Sequence, residues 1–175
     1  CLITKGTDLS AGRAVGLAAC LSAMMLQSLD YAARMLPWMP DIPWPVALII
    51  VMFIMGCFGA VNGIVISMLK VPPFIATLGM QTIIYGLCSL ITNNQPMGGY
   101  KKSYLTVASG SFGPVPYLMI FAVIVGAYFL FLYNKTRHGK YMYAIGGNEN
   151  AAQVAGVNVT AFLIRIFILA GCMYA

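Results

Sequence analysis

Charge is scarce in this chain. Charged residues make up 8% of its 175 residues, and only Asp8, Asp30, Asp41 and Glu149 are acidic. Soluble domains carry about 25% charged residues, so lipid rather than water is the expected main solvent. His138 is the single histidine, and no nucleophile motif accompanies it. Catalysis by positioned acids, bases or nucleophiles therefore has little to work with, and no catalytic residue is assigned. No Gly-x-x-x-x-Gly-Lys-Ser/Thr phosphate loop occurs, so any ATP hydrolysis has to come from another subunit. Cys1, Cys20, Cys57, Cys88 and Cys172 form no Cys-x-x-Cys pair and have no histidine at zinc-ligand spacing. No metal site and no cofactor is assigned. Four of these cysteines lie within apolar spans, where small, buried and inert side chains are expected.

Basic residues are not missing, and the net charge is +6. They are spread between apolar runs, with one cluster at Lys135, Arg137 and Lys140, and no aromatic-interleaved basic patch appears. Nucleic acid is not an expected partner. The first residue is not Met, and Ala161–Ala175 is an apolar stretch of fifteen residues, short of the ~20 needed to cross a bilayer. The expectation is an internal fragment of a longer membrane protein.

What fills the chain is apolar: 61% of its residues are hydrophobic. Hydropathy predicts five segments, at about Ala14–Leu29, Pro45–Leu69, Phe74–Ile91, Pro116–Tyr133 and a fifth, cut off, from Ala161. Helices are expected, because lipid leaves backbone groups no other partner, and the period-two alternation of a membrane barrel is absent. The fold class is all-α, a polytopic helical bundle forming one transmembrane domain over residues 1–175. If the first span runs outwards, Lys5, Arg13, Lys70, Lys135, Arg137, Lys140 and Arg165 fall on the cytoplasmic side, and Arg34, Lys101 and Lys102 fall outside. The positive-inside rule favours that arrangement. Trp38, Trp44, Tyr100, Tyr104 and Tyr117 then read as an outer interfacial belt. The outer connections, Asp30–Trp44 and Thr92–Val115, are rich in Pro, Gly or Ser and long enough to offer a docking surface.

Polar groups inside spans are costly unless they face the protein interior or water. On a helical projection of the third span, Thr77, Gln81, Thr82, Tyr85, Cys88 and Ser89 share one arc. Most of the remaining residues, Met80 and Ile84 among them, occupy the other. Hydroxyl, amide and phenol groups along a path suit a neutral polyhydroxylated solute; bonding between helices is the alternative. The second span carries Gly59-x-x-x-Gly63, which lets helices approach closely, and Asn62 beside that ridge is a candidate for the path. Asp8 lies in the polar stretch Gly6–Arg13. It can pair with Arg13 or Lys5, or stand beside the solute with Ser10, which can also cap a helix starting at Ala11. The substrate-path candidates are Asp8, Ser10, Asn62, Thr77, Gln81 and Tyr85.

Between the fourth and fifth spans lies a polar, glycine-bracketed loop, Asn134–Val159. Asn148 can cap a short helix, Glu149 suits its positive dipole end, and Gly156 can close it. About two turns are not stable alone in water, so the membrane domain or a partner has to hold them. Ala151, Ala152 and Ala155 give that helix a small-residue surface. His138 is expected to be a solvated loop residue.

Four segments in order, Thr4–Gly12, Val71–Gly79, Asn134–Lys140 and Gly146–Val159, resemble the bacterial sugar-importer permease family that includes ribose and galactoside permeases. The resemblance covers nearly the whole chain. It implies a membrane subunit of an ATP-binding-cassette importer in the bacterial inner membrane, without covalent chemistry of its own. It further implies docking of Gly147, Asn148, Glu149, Ala151, Ala152 and Gly156 on an ATPase subunit. The implied partners are that ATPase subunit, a periplasmic sugar-binding protein, a second permease chain forming a homodimer, and membrane lipid. An ion-coupled secondary transporter is the rival reading. The spans Pro45–Leu69, Phe74–Ile91 and Pro116–Tyr133 hold no Asp, Glu, Lys or Arg, which counts against proton coupling, whereas sodium coupling stays open.

Overall fold

The computed structural model describes residues 1–4, 6–29, 31 and 34–175. Lys5, named above as a possible partner of Asp8, lies outside the described residues. The elements are helical throughout apart from one two-stranded hairpin, as an all-α bundle requires. The helices are α1 (Ala11–Met25), α2 (Trp44–Ser67), α3 (Pro73–Thr92), α4 (Lys102–Ser109), α5 (Tyr117–Lys135), α6 (Arg137–Gly147), α7 (Glu149–Val154) and α8 (Val159–Tyr174). The hairpin pairs Ser111–Phe112 with Val115–Pro116.

Helices α2, α3 and α5 are long and apolar enough to cross a membrane. Prolines begin two of them: Pro45 lies in the first turn of α2, and Pro73 opens α3, where a missing N–H costs nothing. Asn93, left-handed at φ 49°, ends α3. Helices α1 and α8 are shorter apolar helices. The first span stops at Met25 rather than Leu29, because the chain turns there into an extended segment. The Lys101 amide donates to the Leu26 carbonyl at 3.0 Å and the Ser28 amide to the Gly99 carbonyl at 2.6 Å. Backbone groups committed to that pairing cannot continue the helix.

The closest packing joins α2 to α8. Gly63 faces the Ile164 backbone, and a Cβ there would lie 2.7 Å from the Ile164 Cα; Gly59 presses still closer on the Phe167 carbonyl. Positions that rise along α2 fall along α8, so the two helices are antiparallel. The packing reading of Gly59-x-x-x-Gly63 holds.

A second core lies under α6 and α7, where Met142, Ile145, Ala152, Val159, Phe162 and Ile166 are buried together. Sequence reading expected a loop holding one short helix here; α6 is an additional helix of 11 residues. Its signal is amphipathic spacing: Met142 and Ile145, three residues apart, share the buried face, while Lys140, Tyr141 and Tyr143 are exposed. The second outer connection likewise contains α4 and the hairpin, which Pro and Gly content did not indicate.

Candidate functional site

The stretch Gly6–Ser10 is not helical, yet Gly6 and Ser10 are buried and Asp8 and Leu9 half-buried, with only Thr7 of the five exposed. The Asn62 amide on α2 donates to the Ser10 hydroxyl at 3.4 Å, and the Leu9 amide donates to the Thr77 hydroxyl on α3 at 3.2 Å. Asn62 is five residues from the end of α2 and Thr77 four from the start of α3, so both stand about 6–8 Å inside the helix ends at 1.5 Å per residue. Irregular backbone at such depth is tolerated only where protein buries it or a cavity wets it.

Asp8 organises this stretch. Its Oδ1 accepts from the Ser10 amide at 3.0 Å and the Ser10 hydroxyl at 2.6 Å. Its Oδ2 accepts from the Tyr174 hydroxyl of α8 at 2.9 Å. Two expectations change here. Asp8 does not pair with Arg13, because the Arg13 guanidinium sits 4.5 Å above the Tyr85 ring instead. Ser10 does stand before α1, but its side chain makes no capping bond to the helix: its backbone is helical, at φ −74° and ψ −14°, rather than extended as in a cap, and its hydroxyl oxygen accepts from Asn62 instead. Ser10, Asn62 and Thr77 are buried and Asp8 is half-buried.

Four of the six path candidates are thus brought together. Gln81 is half-buried and makes no side-chain hydrogen bond with these residues, and Tyr85 is 53% exposed. The inward face of α3 is Thr77, Met80 and Ile84. Of the polar arc, Thr77 is fully buried and Cys88 packs part-buried against the core, while Met80 and Ile84, assigned to the apolar arc, are core residues. They pack on Leu17 and Ala18 of α1, a tertiary contact that one helix's polarity could not reveal.

Beside Asp8 opens a cavity of about 570 Å³, lined among others by Thr7, Asp8, Tyr133, His138, Met142 and Tyr174. Small-molecule sites span roughly 300–1,000 Å³. His138 is not the solvated loop residue expected. Its ring lies 4.7 Å from that of Phe162, and Nε2 is buried without a hydrogen-bond partner among the described residues. Burial, and then the nearby charge of Arg165, lowers its pKa below the ordinary imidazole value. The helix α6 placed it there, which is why a loop reading missed it.

The α7 region has the predicted caps. The Asn148 side chain accepts from the Ala151 amide at 3.0 Å. Gly156, at φ +85°, closes the helix, with the Val157 amide on the Ala152 carbonyl and the Gly156 amide on the Gln153 carbonyl, both 3.0 Å. Glu149 faces Lys70 of the α2–α3 turn at 4.0 Å, both exposed. Gly147, Ala151, Ala155 and Gly156 are exposed, and Val154 is 90% exposed. Ala152 departs from the expected outer surface. It is buried on Met142, Ile145 and Val159, because one side of so short a helix has to meet the bundle.

The profile described as "Branched-chain amino acid transport system / permease component" matches residues 1–174. The chain belongs to this permease family. The galactose/methyl galactoside import permease protein MglC of Haemophilus influenzae is 47% identical over 99% of the chain and 54% of its own length. Its counterpart from Escherichia coli K12 is 44% identical over 99% and 54%. The ribose import permease protein RbsC of Bacillus subtilis is 34% identical over 99% and 51%. The chain spans about half the length of the curated relatives it matches. No solved structure matches it. The resemblance drawn from its four motifs is therefore to the right family of permeases, and the helices suited to crossing a membrane agree with it.

Proposed function

We propose that this permease chain is part of the membrane subunit of an ATP-binding-cassette importer that carries galactose, methyl galactoside or a related monosaccharide across the bacterial inner membrane. The observation that carries the reading is the non-helical segment Gly6–Ser10, held between α2, α3 and α8 by Asn62, Thr77 and Tyr174. A polar break in a bundle is where a polyhydroxylated solute finds donors and acceptors. Asp8, Ser10, Asn62 and Thr77 belong to that path, and Gln81 and Tyr85 extend it along α3. The relatives named for galactosides supply the substrate class.

Exposed residues of α7, together with Gly147, Asn148 and Glu149, form the proposed contact with an ATPase subunit. Buried Ala152 supports that contact from beneath. The Lys70–Glu149 approach gives the contact a connection to the α2–α3 turn, so tilting of α7 is passed to the spans. A periplasmic sugar-binding protein delivers the solute at the opposite end, a second permease chain completes the path, and lipid meets α5, which has no buried residue.

Full-length protein reconstituted with its neighbouring ATPase and binding protein tests this. Labelled methyl galactoside is expected to enter proteoliposomes only with ATP and the binding protein present. Uptake driven by a sodium or proton gradient, without ATP, would replace the importer with a secondary transporter.

A further inference from the structure

Cys20 on α1 and Cys88 on α3 lie 68 residues apart in sequence, and their sulfurs are 3.0 Å apart. Both were expected to be inert, yet neither is fully buried and both are free thiols. Cys20 is five residues from the end of α1 and Cys88 four from the end of α3, about 6–8 Å inside the bundle. They share the end where Leu26–Ser28 pairs with Gly99–Lys101. Cys88 also lines a cleft of about 180 Å³ with Arg13, Ser89, Thr92 and Asn94.

We infer that Cys20 and Cys88 are a reversible disulfide-forming pair that ties α1 to α3. A disulfide needs its sulfurs about 2.05 Å apart, so closure asks roughly 1 Å of movement from two flexible side chains on helices already in contact. The two thiols lose two protons and two electrons, and an external disulfide or other two-electron thiol oxidant is reduced. With a disulfide oxidant, the Cys88 thiolate, reached through the cleft, attacks one of its sulfurs and expels the other as a thiolate. The Cys20 thiolate then attacks Cys88 in the mixed disulfide, forming the Cys20–Cys88 bond and releasing the reduced dithiol. On the orientation proposed above this end faces the periplasm, where oxidants of that class operate. The chemistry of the pair does not depend on that orientation.

The test uses full-length protein in native membranes treated with diamide, a two-electron thiol oxidant that enters either side and is itself reduced to the hydrazine. Free thiols are then alkylated and peptides are mapped by mass spectrometry. The expected result is a linked peptide pair containing Cys20 and Cys88, with most alkylation at both positions lost and then restored by dithiothreitol. In Cys20→Ser, Cys88 is expected to stay alkylatable. Equal alkylation of both cysteines with and without diamide would overturn the inference, as would linkage of Cys88 to any other cysteine. Neither result depends on which solute the protein carries.

Discussion

The Tyr174 hydroxyl donates to the Asp8 carboxylate at 2.9 Å across 166 residues of sequence. The contact fastens the far end of α8 to the irregular entry of α1. Asp8 in turn holds Ser10, and Ser10 accepts from Asn62, so α2, α8 and the start of α1 meet in one network. A carboxylate at this depth is acceptable because these donors replace water.

Tyr174→Phe is expected to remove one charge-assisted bond while keeping the ring. Such a bond is worth about 1.5–3 kcal/mol, and the half-buried setting of Asp8 points to the lower figure. Thermal unfolding of the full-length protein in detergent measures it. An unchanged midpoint would mean that Asp8 finds another donor and that the brace is dispensable.

Ala151 and Ala152 are adjacent in α7, yet one is exposed and the other buried. Ala151→Trp is expected to leave protein levels normal and to lower sugar-stimulated ATPase activity at least tenfold by blocking close approach. Ala152→Trp has to enlarge a filled core, which costs about 1–3 kcal/mol, and is expected to lower the amount of folded protein. Membrane-fraction blots beside ATPase assays separate the two. Identical behaviour of both variants would remove the division between docking and supporting residues.

The division between the two alanines also marks what the sequence could convey. Caps are local: Asn148, Glu149 and Gly156 define α7 by their own chemistry, and all three behave as their residue types predict. The glycine ridge on α2 was equally legible, since a missing side chain needs a neighbour close by. Which neighbour, α8, was not, and neither was the direction in which Ala152 points. Asp8 illustrates the same limit. Its cost in lipid was plain, but the donor that satisfies it comes from Tyr174, and no local pattern links those positions. Helix α6 was missed because its Arg137, Lys140, two tyrosines and three glycines look like loop composition until Met142 and Ile145 are seen to share one buried face.

Orientation has a direct check. Lys70 and Lys102 are both exposed and lie at opposite ends of the bundle. Lys102 is a better probe than Lys101, whose side chain is only 14% exposed and is paired with Asp41. With single cysteines at 70 and 102 in a cysteine-free background, an impermeant maleimide added to intact cells is expected to label position 102 alone. Label at 70 and none at 102 would invert the topology drawn from the basic residues.

The α2–α8 seam is expected to tolerate no added atom at Gly59. A Cβ there would run into the Phe167 carbonyl, whereas a Cβ at Gly79 on α3 meets nothing within 4 Å. Gly59→Ala has to push two helix backbones apart, and a fall in thermal midpoint and in folded yield follows. Gly79→Ala should gain the ordinary helix preference of Ala over Gly, about 0.8–1.0 kcal/mol. A Gly59→Ala protein as stable as Gly79→Ala would show that the seam is looser than its backbone contact indicates.

His138 makes stability depend on pH. In the folded chain its pKa is lowered by burial and by Arg165, so the neutral ring is preferred, and among the described residues its buried Nε2 has no acceptor waiting for a proton. In the unfolded chain the ring titrates near its ordinary value of 6.5. As pH falls through that value, the unfolded state binds a proton before the folded state does, and the folded state loses relative stability. The loss is complete once pH passes below the folded pKa. Above the unfolded value both rings are neutral and His138 adds no slope. The thermal midpoint of full-length protein in detergent is therefore expected to drop on acidification from about pH 7 to pH 5. His138→Phe keeps a ring against Phe162 without the titrating group, and its midpoint is expected to fall less over the same range. Parallel curves for the two proteins would assign the acid sensitivity to other groups.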